Sequence, residues 1–301
     1  MPDSVQQSPN LGYYLGCPVW GSADWANVIY PPKTSRATWL NWYSRSFNIV
    51  EGNSAFYALP NREVIARWIN ETGEGFQYCI KVPREISHDA RLVGCESATA
   101  ALLDRLQLLQ DGGRLGPSFL QIAPTFNVRE FRSLTRFIET WPKEIPLAVE
   151  VRHADYFDNG KNERALDDLL TSHSVDRCLF DSRCLFSAPP STDSEQVSQQ
   201  RKPKSPHRIT VTGKRPMLRF VGRDQIELAD PWINEWAPIV AQWLDQGLTP
   251  YIFTHAPNDA FAPMLARRFH AALRRLRPNM PELLLPDFTP PEKSSRQRKL
   301  F

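Results

Sequence analysis

No two of the five cysteines, Cys17, Cys79, Cys95, Cys178 and Cys184, form a Cys-x-x-Cys pair, and their number is odd. A disulfide framework and a zinc ribbon therefore lack support, and reduced, mostly buried thiols are expected. The chain also has no apolar run long enough to cross a bilayer, and Met1 to Asn10 lacks the basic start and apolar stretch of a secretory signal. These absences predict a cytoplasmic protein with no membrane partner. There is no Gly-rich phosphate loop, no Gly-x-Ser-x-Gly elbow and no dinucleotide fingerprint, so nucleotide-driven, serine-hydrolase and nicotinamide chemistry have no motif behind them. Nor is there a large charge imbalance. A formal charge of +3 falls short of the basic balance of a nucleic-acid binder, and any cationic function must be local.

Hydrophobic residues make up 42% and charged residues 23% of 301, a composition able to bury a sizeable core. Short apolar runs alternate with amphipathic stretches, as when parallel strands are joined by helical crossovers. The runs Tyr13 to Cys17, Asn48 to Gly52, Phe76 to Val82, Ser118 to Ile122, Leu147 to Val151, Arg177 to Phe180, Met217 to Phe220 and Pro250 to Phe253 predict eight strands. The predicted fold is α/β: a single (β/α)8 TIM-like barrel over residues 11–285, after a flexible start at 1–10. Between the strands, Phe131, Leu134, Phe137, Ile138 and Trp141 make one helical face, introduced by a capping-box pattern at Asn127 and Glu130. Trp232, Trp236, Ile239, Val240, Trp243 and Leu244 make another, read as outer-helix packing.

Two segments break the pattern. Residues 188–214 are rich in Pro, Ser, Gln and Lys and form a long polar loop insert after strand six, where a barrel would hang it over the mouth. Its cations Arg201, Lys202, Lys204, His207 and Arg208 suit either a lid that touches an anion or a merely solvated loop. Residues 286–301 read as a flexible C-terminal tail.

In a barrel, function sits where strands end. Glu51 and Asn53 flank the end of strand two, Lys81 closes strand three and Gln121 ends strand four. Glu150, Arg152 and His153 end strand five, Asp181 and Arg183 follow strand six, Arg219 ends strand seven, and His255, Asn258 and Asp259 follow strand eight. A barrel interior is packed with apolar side chains, so so many polar strand ends point to a functional pocket. His153 is the candidate general acid or base, with Glu150 or Asp181 orienting it, against the alternative of a histidine bonded to backbone. Lys81, Arg152, Arg183 and Arg219 suit an anion clamp for a small phosphate-bearing ligand, with Glu51, Asn53, Gln121 and His255 completing the binding set. A divalent metal is possible from the acids and histidines, but no ligand spacing favours one.

Several stretches resemble the YecE-like family, a domain of unknown function. They are Gly16-Cys17-Pro18-Val19-Trp20, the run Val50 through Pro60, Lys81-Val82-Pro83 with Ile86-Ser87-His88, Leu120 through Pro124, and Val149-Glu150-Val151-Arg152-His153. The resemblance implies a TIM barrel with these polar residues at its mouth, and it brings no activity with it. Arg219-Phe220-Val221-Gly222 and Thr254-His255 depart from the commoner pattern and resemble the enterobacterial branch. Finally, Gln297-Arg298-Lys299-Leu300-Phe301 resembles the peptide by which bacterial replication and repair proteins dock on the DNA sliding clamp. Gln297 would supply a directional hydrogen bond and Leu300 and Phe301 the apolar anchors. The alternative is a tail folded back on the barrel. A hydrolase or lyase acting on a phosphate-bearing or otherwise anionic ligand, and a non-catalytic nucleic-acid-associated protein recruited to the clamp, with or without direct nucleic-acid contact, are thus the two readings to separate.

Overall fold

The computed structural model of the chain describes residues 7–283, 285 and 286. Gln297, Leu300 and Phe301, and with them the docking peptide, lie outside the described residues. Eight parallel strands are present: β1 (Tyr14–Cys17), β2 (Ile49–Gly52), β3 (Gln77–Ile80), β4 (Ser118–Gln121), β5 (Leu147–Glu150), β6 (Asp176–Asp181), β7 (Met217–Val221) and β8 (Tyr251–His255). Their order is β3-β2-β1-β8-β7-β6-β5-β4, and single bridges Tyr78↔Leu115 and Lys81↔Phe119 join the two ends into a nearly closed barrel. Each of the eight predicted runs is a strand within three residues of the expected bounds at either end. The runs are legible because strands buried on both faces tolerate little but apolar side chains.

The helices are α1 (Trp39–Ser46), α2 (Arg62–Glu71), α3 (Glu96–Asp111), α4 (Phe131–Thr140), α5 (Lys161–Ser172), α6 (Asp193–Arg201), α7 (Asp230–Asp245) and α8 (Ala262–Leu276), one after each strand. Asn127 and Glu130 form the expected capping box before α4. Trp236 and Trp243 of α7 are buried against the barrel wall, as the apolar face predicts.

The segment 188–214 is corrected by the structure: it is neither a plain loop nor wholly solvated. Thr192 caps α6 by accepting from Glu195 N–H. Glu195 is buried and ion-paired to Arg223 at 2.6 Å, and Thr192 donates to Asp224, so α6 is pinned to the loop after β7. From Pro203 the chain runs without regular structure along the outer wall. Arg208 pairs with Glu163 of α5 at 2.6 Å, His207 meets the Trp236 ring of α7 edge-on, and Thr212 donates to the Val175 carbonyl. This strip fills the place between α5 and α7 where a crossover helix would pack. With the wall already covered, α6 can sit over the mouth despite having no apolar face.

The Gly-Cys-Pro stretch has a packing reason. At Gly16 the Tyr43 hydroxyl of α1 enters the β1–β2 ladder, accepting from Cys17 N–H at 2.7 Å and donating to the Ile49 carbonyl at 2.9 Å. A Cβ on Gly16 would stand 2.0 Å from Ile49 O and 2.9 Å from the hydroxyl. Gly16→Ala is expected to destabilise the fold by about 3 kcal/mol, since backbone must move to admit the methyl. Urea unfolding monitored by tryptophan fluorescence would measure it, and an unchanged midpoint would refute the close approach.

Candidate functional site

Strand alternation decides which side chains enter the barrel. Its inner floor is Ile49, Cys79, Phe119, Ala148, Cys178, Met217, Tyr251 and Phe253. One inward step further along six strands stand Glu51, Lys81, Gln121, Glu150, Arg219 and His255, all buried. They form one connected layer. Arg219 donates to Glu51 Oε1 at 2.6 Å and to Glu150 Oε2 at 2.5 Å, so a single guanidinium ties β7 to β2 and β5. Glu51 also meets His255 Nε2 at 2.9 Å and accepts from Asn53 at 2.8 Å. Glu150 accepts from Arg152 at 2.8 Å and from Gln121 at 2.6 Å, and Gln121 in turn accepts from Lys81 Nζ at 2.9 Å.

Burial alone would raise both carboxyls, but the cations beside them outweigh it. Arg219 and His255 hold Glu51 well below the usual carboxylate range. Arg219 and Arg152 bring Glu150 to about 2. His255 is lowered to about 4 by burial, with Arg219 and Lys202 adding to the effect and Glu51 opposing it. At neutral pH the imidazole is thus uncharged, and its Nε2–H donates to a carboxylate that can only accept. Lys81 is lowered to about 7 by burial and by Arg219, with the two glutamates pulling the other way.

Above this layer opens a cavity of about 700 Å³. Asn53, Lys81, Gln121, Arg152, Arg219 and His255 line its inner side, Asp259 one flank, and Arg201 and Lys202 of the α6 region its cover. Lys202 Nζ lies 6.0 Å from the Phe180 ring, and enclosure together with Arg219 lowers it to about 8. Glu51 and Glu150 balance Arg219 and Arg152 in formal charge, which leaves Lys81, Lys202 and Arg201 opposite Asp193 and Asp259 on the lining. The two aspartates stand on the flank and cover with Lys202 and Arg201, so the uncompensated cation of the inner face is Lys81.

Five sequence candidates do not line the cavity: Glu51 and Glu150 lie beneath it, held by Arg219, and Asp181, Arg183 and His153 point elsewhere. Asp181 is out of phase with the inward Phe180 and points into the wall, where it accepts from Trp236 Nε1 at 2.7 Å and pairs with Arg183 at 2.8 Å. Arg183 extends outward to Glu235 at 3.0 Å. His153 lies three residues past Glu150, half-exposed, with Nδ1 accepting from Asp155 N–H at the start of the helical turn Ala154–Phe157. Neither Glu150 nor Asp181 orients it, because both are bonded elsewhere. Strict application of the two-residue period would have excluded Asp181 and favoured Phe180. Two residues of the family-like stretches that were given no role stand near Lys81: the Phe56 ring centroid is 4.0 Å from its Nζ, and His88 is edge-on to that ring at 5.0 Å. Both sit in short helical turns, Asn53–Phe56 and Glu85–Asp89, that no strand period can place.

Among the described residues no three His, Cys, Asp or Glu side chains converge as a metal-ligand group. No helix of these residues is long and apolar enough to cross a membrane. All five cysteines are free, and Cys95 alone of them is not buried.

The family described as "Protein of unknown function DUF72" matches residues 14–290. The chain belongs to the DUF72 family. It is 36% identical over 270 residues to the UPF0759 protein YecE of Escherichia coli K12, covering 90% of this chain and 94% of that one. It is 29% identical over 174 residues to the UPF0759 protein YunF of Bacillus subtilis, covering 54% and 59%. Among solved structures, DUF72 family proteins of Enterococcus faecalis and Thermotoga maritima share the fold. Their TM-scores are 0.66 and 0.65, at 17% and 19% identity, over 92% and 88% of this chain and 98% of each of theirs. The DUF72 barrel therefore extends across nearly the whole chain, and the buried polar layer lies at its mouth.

Removing Arg219 would leave the buried Glu51 with no charged partner and Glu150 with Arg152 alone, so Arg219→Met is expected to cost about 4 kcal/mol at neutral pH. The carboxyls' depressed pKa values contribute stability that is complete above the unfolded value of about 4.3 and lost as pH falls toward the folded one. The gap between wild type and Arg219→Met should therefore shrink below about pH 4, where protonation relieves the variant's unpaired acids. Denaturation midpoints taken across that pH range test this, and a constant gap would contradict the ion-pair account.

Proposed function

We propose that the barrel mouth binds a small phosphate-bearing or similarly anionic ligand and performs acid–base chemistry of the hydrolase or lyase type on it. The observation that carries this reading is Lys81 Nζ on the inner side of the 700 Å³ cavity, within a layer whose carboxylates are already paired with arginines. Arg152, Arg219 and Lys202 supply donors for phosphate oxygens, and guanidinium forks match that geometry. Lys81, held to about 7, exchanges a proton near neutrality and so takes the role the sequence reading gave to His153. His255, neutral and bonded to Glu51, is a polar wall contact for the ligand.

A phosphate monoester gains its second charge near pH 6, whereas Lys81 loses its own near 7 and Lys202 near 8. Affinity for a simple phosphate monoester such as glycerol 3-phosphate should thus peak between these values and fall as the lysines deprotonate. Lys81→Met is expected to weaken binding about tenfold at pH 6.5 and to flatten the fall above it. Isothermal titration calorimetry across this range measures both, and wild-type affinity independent of pH, or equal in the variant, would refute the reading.

The terminal sequence motivates a second reading, docking on the bacterial sliding clamp through Gln297, Leu300 and Phe301 as part of a nucleic-acid-associated role. Deleting Leu300 and Phe301 should abolish clamp binding in surface plasmon resonance. Equal binding by the intact and shortened chains would dismiss it, and steep salt dependence of DNA binding would mark direct contact with nucleic acid.

A further inference from the structure

The surroundings of Lys81 leave its ammonium poorly satisfied. An ammonium has three donors to satisfy, and among the described residues Lys81 Nζ has one hydrogen bond, to Gln121 Oε1, and no ion pair. Its remaining surroundings are the Phe56 ring at 4.0 Å and the Phe119 ring at 5.8 Å. The carboxylates nearest in the network are occupied: Glu51 by Arg219, His255 and Asn53, Glu150 by Arg219, Arg152 and Gln121. A lysine that is mostly buried, set against aromatic faces, flanked by cations and yet open to a cavity is in the setting that leaves its nitrogen lone pair available for attack on carbon.

We propose that Lys81 forms a covalent imine with the carbonyl carbon of a phosphate-bearing aldehyde or ketone held in this cavity. The proposal rests on the anion-binding reading above and narrows it to a lyase-type reaction on a carbonyl compound. Nζ forms the new C–N bond as the carbonyl electron pair moves onto oxygen. The two protons of the neutral amine pass, through water in the open cleft, to that oxygen, the C–O bond breaks, and water departs. Amine and carbonyl thus give imine and water, with no oxidant or reductant. Protonated, the imine draws electrons from the neighbouring carbon, which permits loss of a proton or cleavage of a carbon–carbon bond there. Arg152 and Arg219 serve to hold the phosphate, and the aromatic contacts limit hydration of the amine.

The test treats the full chain with glyceraldehyde 3-phosphate and, separately, with dihydroxyacetone phosphate, followed by borohydride, which reduces an imine to a stable secondary amine. Peptide mass spectrometry then locates the adduct. Lys81 is expected to be labelled, with labelling about tenfold lower when glyceraldehyde replaces its phosphate ester or when inorganic phosphate competes. Lys143→Met, an exposed lysine away from the cavity, should leave the Lys81 adduct in place, whereas Lys81→Arg, with its fold checked by circular dichroism, should lose it. Adducts confined to Lys202 or to exposed lysines would overturn the imine. Phosphate binding by calorimetry with no adduct on Lys81 would also overturn it while leaving the anion-binding reading intact. Absence of phosphate binding would bring down that reading instead, and Lys81 labelling by the carbonyl compounds without competition by phosphate would separate the amine's reactivity from it.

Discussion

The Arg219 guanidinium, held between Glu51 and Glu150, is the interaction on which the mouth of this barrel depends. The three residues come from β7, β2 and β5 and are separated by 168 and 69 positions in sequence. Placing three charges where a barrel ordinarily packs apolar side chains carries a desolvation cost that pairing offsets only when the geometry is good and the remaining lone pairs are satisfied. Both conditions hold here, since His255, Asn53, Gln121 and Arg152 take up the other carboxylate positions. The consequence reaches beyond stability. With the glutamates fully engaged by Arg219 and its neighbours, Lys81 has an amide oxygen and two aromatic rings beside it, and burial together with the nearby Arg219 lowers its proton affinity.

A second constraint sits outside the barrel. The connection from β6 to β7 covers the wall with the chain from Pro203 onward rather than with a helix, using His207 against Trp236, Arg208 on Glu163 and Thr212 on the Val175 carbonyl. The polar helix α6 is thereby available as a cover for the mouth, fixed there by Glu195 and Arg223. Polar composition, which in isolation suggests solvent exposure, here reflects a segment held by ion pairs and caps on one side and facing a cavity on the other. Lys202 enters the site only because of this arrangement.

The strands and the amphipathic helices were legible because each depends on a short-range period that burial imposes on one or both faces. Much of the candidate layer was legible for the same reason. Glu51, Lys81, Gln121, Glu150, Arg219 and His255 are polar interruptions in strands or at their ends, and a shared phase carries them inward. Asp181, Arg183 and His153 resemble them in chemistry and in nearness to a strand end, yet a shift of one residue, or a chain that leaves the sheet, sends them to the wall or the rim. Phe56 and His88 come from short helical turns beyond the strands, where the family-like stretches mark them but no strand period assigns them a place.

By itself, the sequence determined the architecture: eight apolar runs of strand length with helices between them leave a parallel barrel as the arrangement that buries every face, and the matching motifs place the chain in one family. Tertiary structure decided which polar groups share a cavity and in what protonation state. Those properties arise from pairings between residues far apart in the chain and from the water excluded around them, and neither distance nor desolvation is written in any local stretch of residues.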